Sequence, residues 1–132
     1  MFRAGFSESG AYNRTLTPFG FQSERRTFWE VPQVYETMSP FFYADKIQGA
    51  LLLYHSMEDQ NVGTDPISSV RMMQALRANG KPSALFMYPY ENHQPATLET
   101  ELDQWARWTA WLDLYVKHAG ESATQPANQV VP

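Results

Sequence analysis

Cysteine is absent from all 132 residues. Disulfides and thiolate metal sites are therefore excluded, and no redox compartment can be read. Clusters of positive charge are also missing. Ten Lys and Arg stand against 14 Asp and Glu, a net charge of -4, and no basic patch is available to neutralise phosphates. Nucleic acid is not an expected partner. No apolar run approaches the roughly 20 residues of a membrane-spanning helix, so no membrane partner is expected either. The residues after Met1 lack the charged-then-apolar layout of a signal peptide, and no localisation is read from that. Internal repeats are absent. The three histidines are scattered without paired ligand spacing, so neither a metal nor another cofactor is expected. What the chain has is apolar area. It is 43% hydrophobic and 14% aromatic, enough to pack a core, at a length that fits one domain or a piece of one.

The pattern along the chain alternates strands and helices. Residues 2–7 read as a short strand that starts almost at the first residue, which suggests an internal start. Residues 9–22 are rich in Gly, Asn, Thr and Pro and read as a long loop, a length uncommon unless functional or packed. A short helix is expected over 31–38, opened by Pro32. Ser39-Pro40 looks like an N-cap and first helical position of another, through Asp45. Residues 50–54 form a continuous apolar run, as in a strand buried on both faces of a parallel sheet. Thr64 or Asp65 then caps a helix to about Asn79, with Ile67, Val70, Met73 and Leu76 inward and Gly80 ending it. Residues 83–88 are the next buried strand. Thr97 caps a final helix to about His118, with Leu98, Leu102, Trp105, Leu112 and Val116 as its expected inward stripe. The tail 121–132 is polar and expected to be disordered. The order implies an α/β fold of parallel strands with crossover helices over residues 1–120.

Two polar loops follow the two central strands. The first, His55-Ser56-Met57-Glu58-Asp59-Gln60-Asn61, carries two carboxylates. The second, Pro89-Tyr90-Glu91-Asn92-His93, carries an imidazole. Loops at the carboxyl ends of parallel strands are where such sheets hold functional groups. A carboxylate followed by a histidine on consecutive loops is the order in which an α/β-hydrolase supplies the last two members of a Ser, Asp, His triad. The plainer reading is that Asp59 caps a turn and His93 is a surface loop histidine. A nucleophile is harder to find. Gly5-Phe6-Ser7-Glu8-Ser9 nearly fits a Gly-x-Ser-x-Gly elbow, but Ser7 lacks a full strand before it and a helix after it. Trp105, Trp108 and Trp111 read as packing residues rather than a ligand platform. Tyr12-Asn13-Arg14 lies in the early loop, where Arg14 either reaches a cleft or pairs with a carboxylate at the edge of the core.

These residues resemble the prolyl oligopeptidase family of serine peptidases, in particular its glutamyl endopeptidase-like branch, from about Phe2 to Lys117. The most specific stretch is Ser9-Gly10-Ala11-Tyr12-Asn13-Arg14-Thr15-Leu16-Thr17-Pro18-Phe19-Gly20-Phe21-Gln22, followed by Glu24-Arg25-Arg26-Thr27 and Trp29. Met38-Ser39-Pro40-Phe41, Ala44-Asp45-Lys46-Ile47 and Leu51-Leu52-Leu53-Tyr54-His55 also match. The resemblance implies the C-terminal part of an α/β-hydrolase catalytic domain. It implies Asp59, rather than Glu58, as the residue that orients the histidine, and His93 as general base. Two departures stand out. The family's elbow, Gly-Gly-x-Ser-x-Gly-Gly or similar, is not in this chain, and Gln94-Pro95 follows His93 where the family usually has glycine.

The resemblance thus implies a C-terminal fragment of a serine peptidase that supplies Asp59 and His93 to a serine outside the chain, the chain alone being inactive. A peptide would be the substrate of the intact enzyme. The missing N-terminal part of the domain, or a second copy, is the expected partner. A non-catalytic remnant or interaction module, and an esterase on the same scaffold, stay open as alternatives. Sequence upstream of Met1 discriminates the first two.

Overall fold

The computed structural model describes residues 2–120 and the backbone of residues 129–131. Four parallel strands lie in the order β1 (Ala4–Glu8), β2 (Ala50–Ser56), β3 (Ser83–Tyr88) and β4 (Gln129–Val131). The first two expected strands shift by a residue or two at their ends, and β3 spans the expected residues. β2 runs on through His55 and Ser56, which were expected in the loop, because both remain buried in the sheet. Of the tail expected to be disordered, residues 121–128 and 132 lie outside the described residues, while residues 129–131 pair with β3.

Alternation along β2 sends side chains to two cores. Leu53 packs with Leu85, Tyr12, Ala44 and the inner face of α2 (Ile67–Ala78). Ala50, Leu52 and Tyr54 pack on the other face against α3 (Leu98–Leu112) through Trp108 and Trp111. The result is a helix, sheet, helix sandwich, which explains why β2 reads as an unbroken apolar run. The long β1–β2 connection carries a 3-10 helix at Arg14–Leu16, then α1 (Pro32–Thr37) and a second 3-10 helix at Pro40–Lys46. Pro32 opens α1 as expected.

Three local expectations are revised. Ser39 makes no capping bond with its side chain; its hydroxyl donates to the Tyr35 carbonyl and accepts the Arg14 N–H. The first turn of α2 is held by Asp65, whose carboxylate accepts the Ile67 N–H, while Thr64 turns towards the site below. Ile67 is exposed and the inward face is Ser69, Met72, Met73 and Leu76. In α3 the stripe expected to face inward lies outward, with Leu102 60% and Trp105 63% exposed. The broad rings take the sheet face instead. Trp108 stacks on Phe6 at 5.3 Å and meets Tyr54 edge-on at 6.1 Å, and Trp111 packs against Tyr115. Ring-on-ring burial gives more contact area than Leu98 and Leu102 would on the same surface. Among the described residues no helix is long and apolar enough to cross a membrane.

Candidate active site

The loops after β2 and β3 leave the same end of adjacent parallel strands, and the backbone ties them together. Met57 N–H donates to the Tyr88 carbonyl at 2.7 Å, and Glu58 N–H to the Glu91 carbonyl at 3.2 Å. Asn92 Oδ1 accepts from Gln60 N–H and from His93 N–H. Tyr90, at a φ of 61°, reverses the chain just after β3, in a left-handed conformation that side chains rarely adopt. This turn lets Glu91 point inward. Its carboxylate accepts from the N–H groups of Ala96 and Thr97 and from the Thr97 hydroxyl, clamping the two ends of the segment that holds His93. Those donors, the Thr97 hydroxyl first, hold the Glu91 carboxyl down to about 2.

Asp59 and His93 meet there. His93 Nδ1 lies 3.0 Å from Asp59 Oδ2. Gln94-Pro95 after His93 does not pull the imidazole away, and the His93 carbonyl is anchored by the Ser9 hydroxyl at 2.8 Å. The Asp59 side chain has no exposed surface, whereas His93 keeps 37% of its own, so the ring edge bearing Nε2 faces open space. Burial pushes the Asp59 carboxyl up, but bonds from His93 and from the Asn61 N–H outweigh it and hold the group below its ordinary value. A carboxylate in this position accepts an N–H from Nδ1 and so orients the His93 ring, with Nε2 turned away from Asp59.

A second histidine completes the array. His55 Nε2 lies 2.6 Å from the Thr64 carbonyl and 3.1 Å from Asp59 Oδ2. Both are acceptors, so Nε2 carries a proton, while Nδ1 pairs with the Ser69 hydroxyl at 2.6 Å. Oδ2 of Asp59 thus receives two imidazole N–H groups while Oδ1 receives the Asn61 N–H at 2.8 Å. Sequence reasoning missed His55. Its signal was a histidine at the end of a run buried on both faces, where each ring nitrogen must find a partner.

Ser7 is elsewhere. It lies within β1, its hydroxyl accepts the Tyr12 hydroxyl at 2.9 Å, and a loop rather than a helix follows the strand. Arg14 does not pair with a carboxylate among the described residues. It lines a polar cavity of about 350 Å³ together with His93. No group of three or more acidic, histidine or cysteine side chains among the described residues could hold a metal.

The profile of the prolyl oligopeptidase family matches residues 1–119. The chain belongs to the prolyl oligopeptidase family. It is 42% identical over 127 residues to the probable glutamyl endopeptidase, chloroplastic, of Arabidopsis thaliana, covering 96% of this chain and 13% of that protein. To the protein of the same name from Oryza sativa subsp. japonica it is 44% identical over 115 residues, covering 87% of this chain and 12% of that protein. It therefore spans only about an eighth of the length of these curated relatives. Among solved structures, Pyrococcus horikoshii acylaminoacyl peptidase superposes with a TM-score of 0.75 at 23% identity, over 92% of this chain and 22% of that one. Porphyromonas gingivalis dipeptidyl peptidase 4 does so with a TM-score of 0.71 at 23% identity, over 84% and 16%. At that identity these likenesses establish the fold, the α/β-hydrolase fold of such peptidases.

Proposed function

We propose that this family member supplies the acid–base half of a serine peptidase centre, with Asp59 and His93 acting on a serine carried outside these 132 residues. The observation that supports it is the 3.0 Å contact between the buried Asp59 carboxylate and His93 Nδ1, with Nε2 left free at an open edge. In this reading His93 Nε2 takes the serine hydroxyl proton as the serine oxygen bonds to the peptide carbonyl carbon. It then gives that proton to the amide nitrogen as the carbon–nitrogen bond breaks. Asp59 keeps its negative charge throughout and stabilises the imidazolium. In the second half a water oxygen bonds to the acyl carbon and its proton passes to His93 Nε2, which gives it to the serine oxygen as the acyl carbon–oxygen bond breaks, releasing the carboxylic acid and restoring the serine. A peptide is the substrate of the assembled enzyme. No Gly-x-Ser-x-Gly segment lies in the sequence, which supports a serine carried elsewhere.

Labelling with a fluorophosphonate tests this. The 132-residue chain should take no label. A protein in which a Gly-x-Ser-x-Gly strand, turn and helix precedes it should be labelled at that serine, and His93→Ala should abolish the labelling. Stoichiometric labelling of Ser7 in the chain alone would refute the proposal.

A further inference from the structure

The His55 side chain has no exposed surface, and the proposed reaction gives it no step. Alternation along β2 sends it to the α2 side of the sheet, the side of Leu53, Met72 and Met73. A polar ring in such a layer is costly unless each nitrogen has a partner. Both have one. Nδ1 pairs with the Ser69 hydroxyl on α2, and Nε2–H donates to the Thr64 carbonyl, each at 2.6 Å. Ser69 is itself fully buried, and the Tyr12 hydroxyl lies against it and donates to Ser7 at 2.9 Å.

Those two contacts satisfy a histidine that only fills the core. A third goes further. Nε2–H also reaches Asp59 Oδ2 at 3.1 Å, the same oxygen that lies 3.0 Å from His93 Nδ1. One proton is thus shared between a carbonyl and a carboxylate, two acceptors that repel each other without it. The torsion that sets the carboxylate plane is broad in aspartate, so the plane follows whatever bonds to the oxygens. Here the Asn61 N–H holds Oδ1 at 2.8 Å, and the two imidazoles hold Oδ2. His55 approaches from the closed interior, whereas the His93 side chain keeps 37% of its surface exposed. His55 and the Asn61 N–H therefore fix the plane from within.

We infer that His55 is a positioning residue: by bonding Asp59 Oδ2 from the interior, it aims the other lone pair of that oxygen at His93 Nδ1. This rests on the proposed function, because an aligned carboxylate serves catalysis only where His93 is the base. His55 acts through Asp59 and takes no part in the proton transfers. Ser69, at the opposite nitrogen, holds the ring in the orientation that keeps Nε2–H on Oδ2. Leucine at position 55 would leave the Thr64 carbonyl and Oδ2 facing each other with no donor between them. Glutamine carries an NH₂ group for both and an oxygen that can accept the Ser69 hydroxyl.

Proton and nitrogen NMR of the His93 ring in the 132-residue chain tests the assignment, read above the ordinary histidine titration range so that the ring is neutral. His55→Leu should move His93 towards the Nε2–H tautomer and speed exchange of its Nδ1 proton about tenfold or more, the worth of one bond to a charged group. His55→Gln should restore most of the wild-type signature. Ser69→Ala should shift the same signals in the same direction by less, and add nothing in the His55→Leu background. Met72→Ala loosens the same buried face and should leave the His93 tautomer unchanged. Wild-type His93 signals in His55→Leu, or an equal change in Met72→Ala, overturn the assignment. Should His55→Leu fail to fold, Ser69→Ala decides alone, and unchanged His93 signals there overturn it. Fluorophosphonate labelling of the protein in which a Gly-x-Ser-x-Gly strand, turn and helix precedes this chain separates the two hypotheses. Labelling abolished by His93→Ala but untouched by His55→Leu sinks the His55 assignment alone. His93 signals altered by His55→Leu, with labelling that His93→Ala does not reduce, sink the catalytic reading and leave the alignment of Asp59 standing.

Discussion

Replacing Asp59 by Asn removes a charge and turns one acceptor into a donor at the most crowded point of the site. Oδ2 receives N–H groups from His55 at 3.1 Å and His93 at 3.0 Å, and Oδ1 receives the Asn61 N–H at 2.8 Å. An amide offers one acceptor oxygen and one NH₂ group. Turned either way, its NH₂ faces at least one buried N–H. If the oxygen stays with Asn61, the NH₂ meets both imidazoles. His55 cannot answer by moving its proton, since the Thr64 carbonyl at 2.6 Å requires N–H at Nε2. His93 can, by shifting its proton from Nδ1 to Nε2, the nitrogen that has to act as base. Loss of bonds to a buried charge costs about 1.5–3 kcal/mol each, and relief of carboxylate desolvation offsets part of that. The net expectation for Asp59→Asn is about 2–3 kcal/mol of lost stability, or roughly 1–2 M in urea midpoint. The sign with pH follows from the lowered carboxyl. Asp59 stabilises the fold at pH values above the ordinary aspartate range. That contribution fades as pH falls through its depressed folded value, so wild type and variant should converge in acid. Urea unfolding across pH, with nitrogen NMR of the imidazoles, measures all three effects. An unchanged midpoint with His93 still protonated at Nδ1 would refute the network as described.

Two further outcomes are expected. Glu91→Gln should flatten the acid limb of stability, because Glu91 falls from an ordinary 4.5 to about 2, so its contribution is full above 4.5 and lost towards 2; tryptophan fluorescence in an acid titration reads this, and an unshifted midpoint counts against the clamp. Leu102→Lys should leave stability within about 0.5 kcal/mol, since this side chain lies outward on α3; a loss of more than about 1 kcal/mol in urea unfolding would show that the outward face of α3 is packed after all.

The alternation of strand and helix was legible because its signals are local. An unbroken apolar run marks β2, Gly80 at a φ of 63° closes α2, and Thr97 caps α3 with its hydroxyl accepting from Thr100 N–H. The order carboxylate then histidine, on loops after consecutive strands, was legible for the same reason; it left Glu58 and Asp59 both open, and only the family resemblance singled out Asp59. What the sequence could not carry was anything set by three-dimensional neighbours. The helical period of α3 allows two apolar faces, and only the positions of Phe6 and Tyr54 on the sheet decided that Trp108 and Trp111 turn inward. His55 read as loop because its partners, Thr64 and Ser69, lie 9 and 14 residues away and meet it only through the packing of α2. Arg14 was open between a cleft and an ion pair, because a charge shows its partner, or the lack of one, only once the chain has folded around it. Sequence by itself determined the α/β class and the kinds of groups at the strand ends; the tertiary structure decided which donors face which acceptors, since hydrogen-bond partners are fixed by distance in space and not by spacing along the chain.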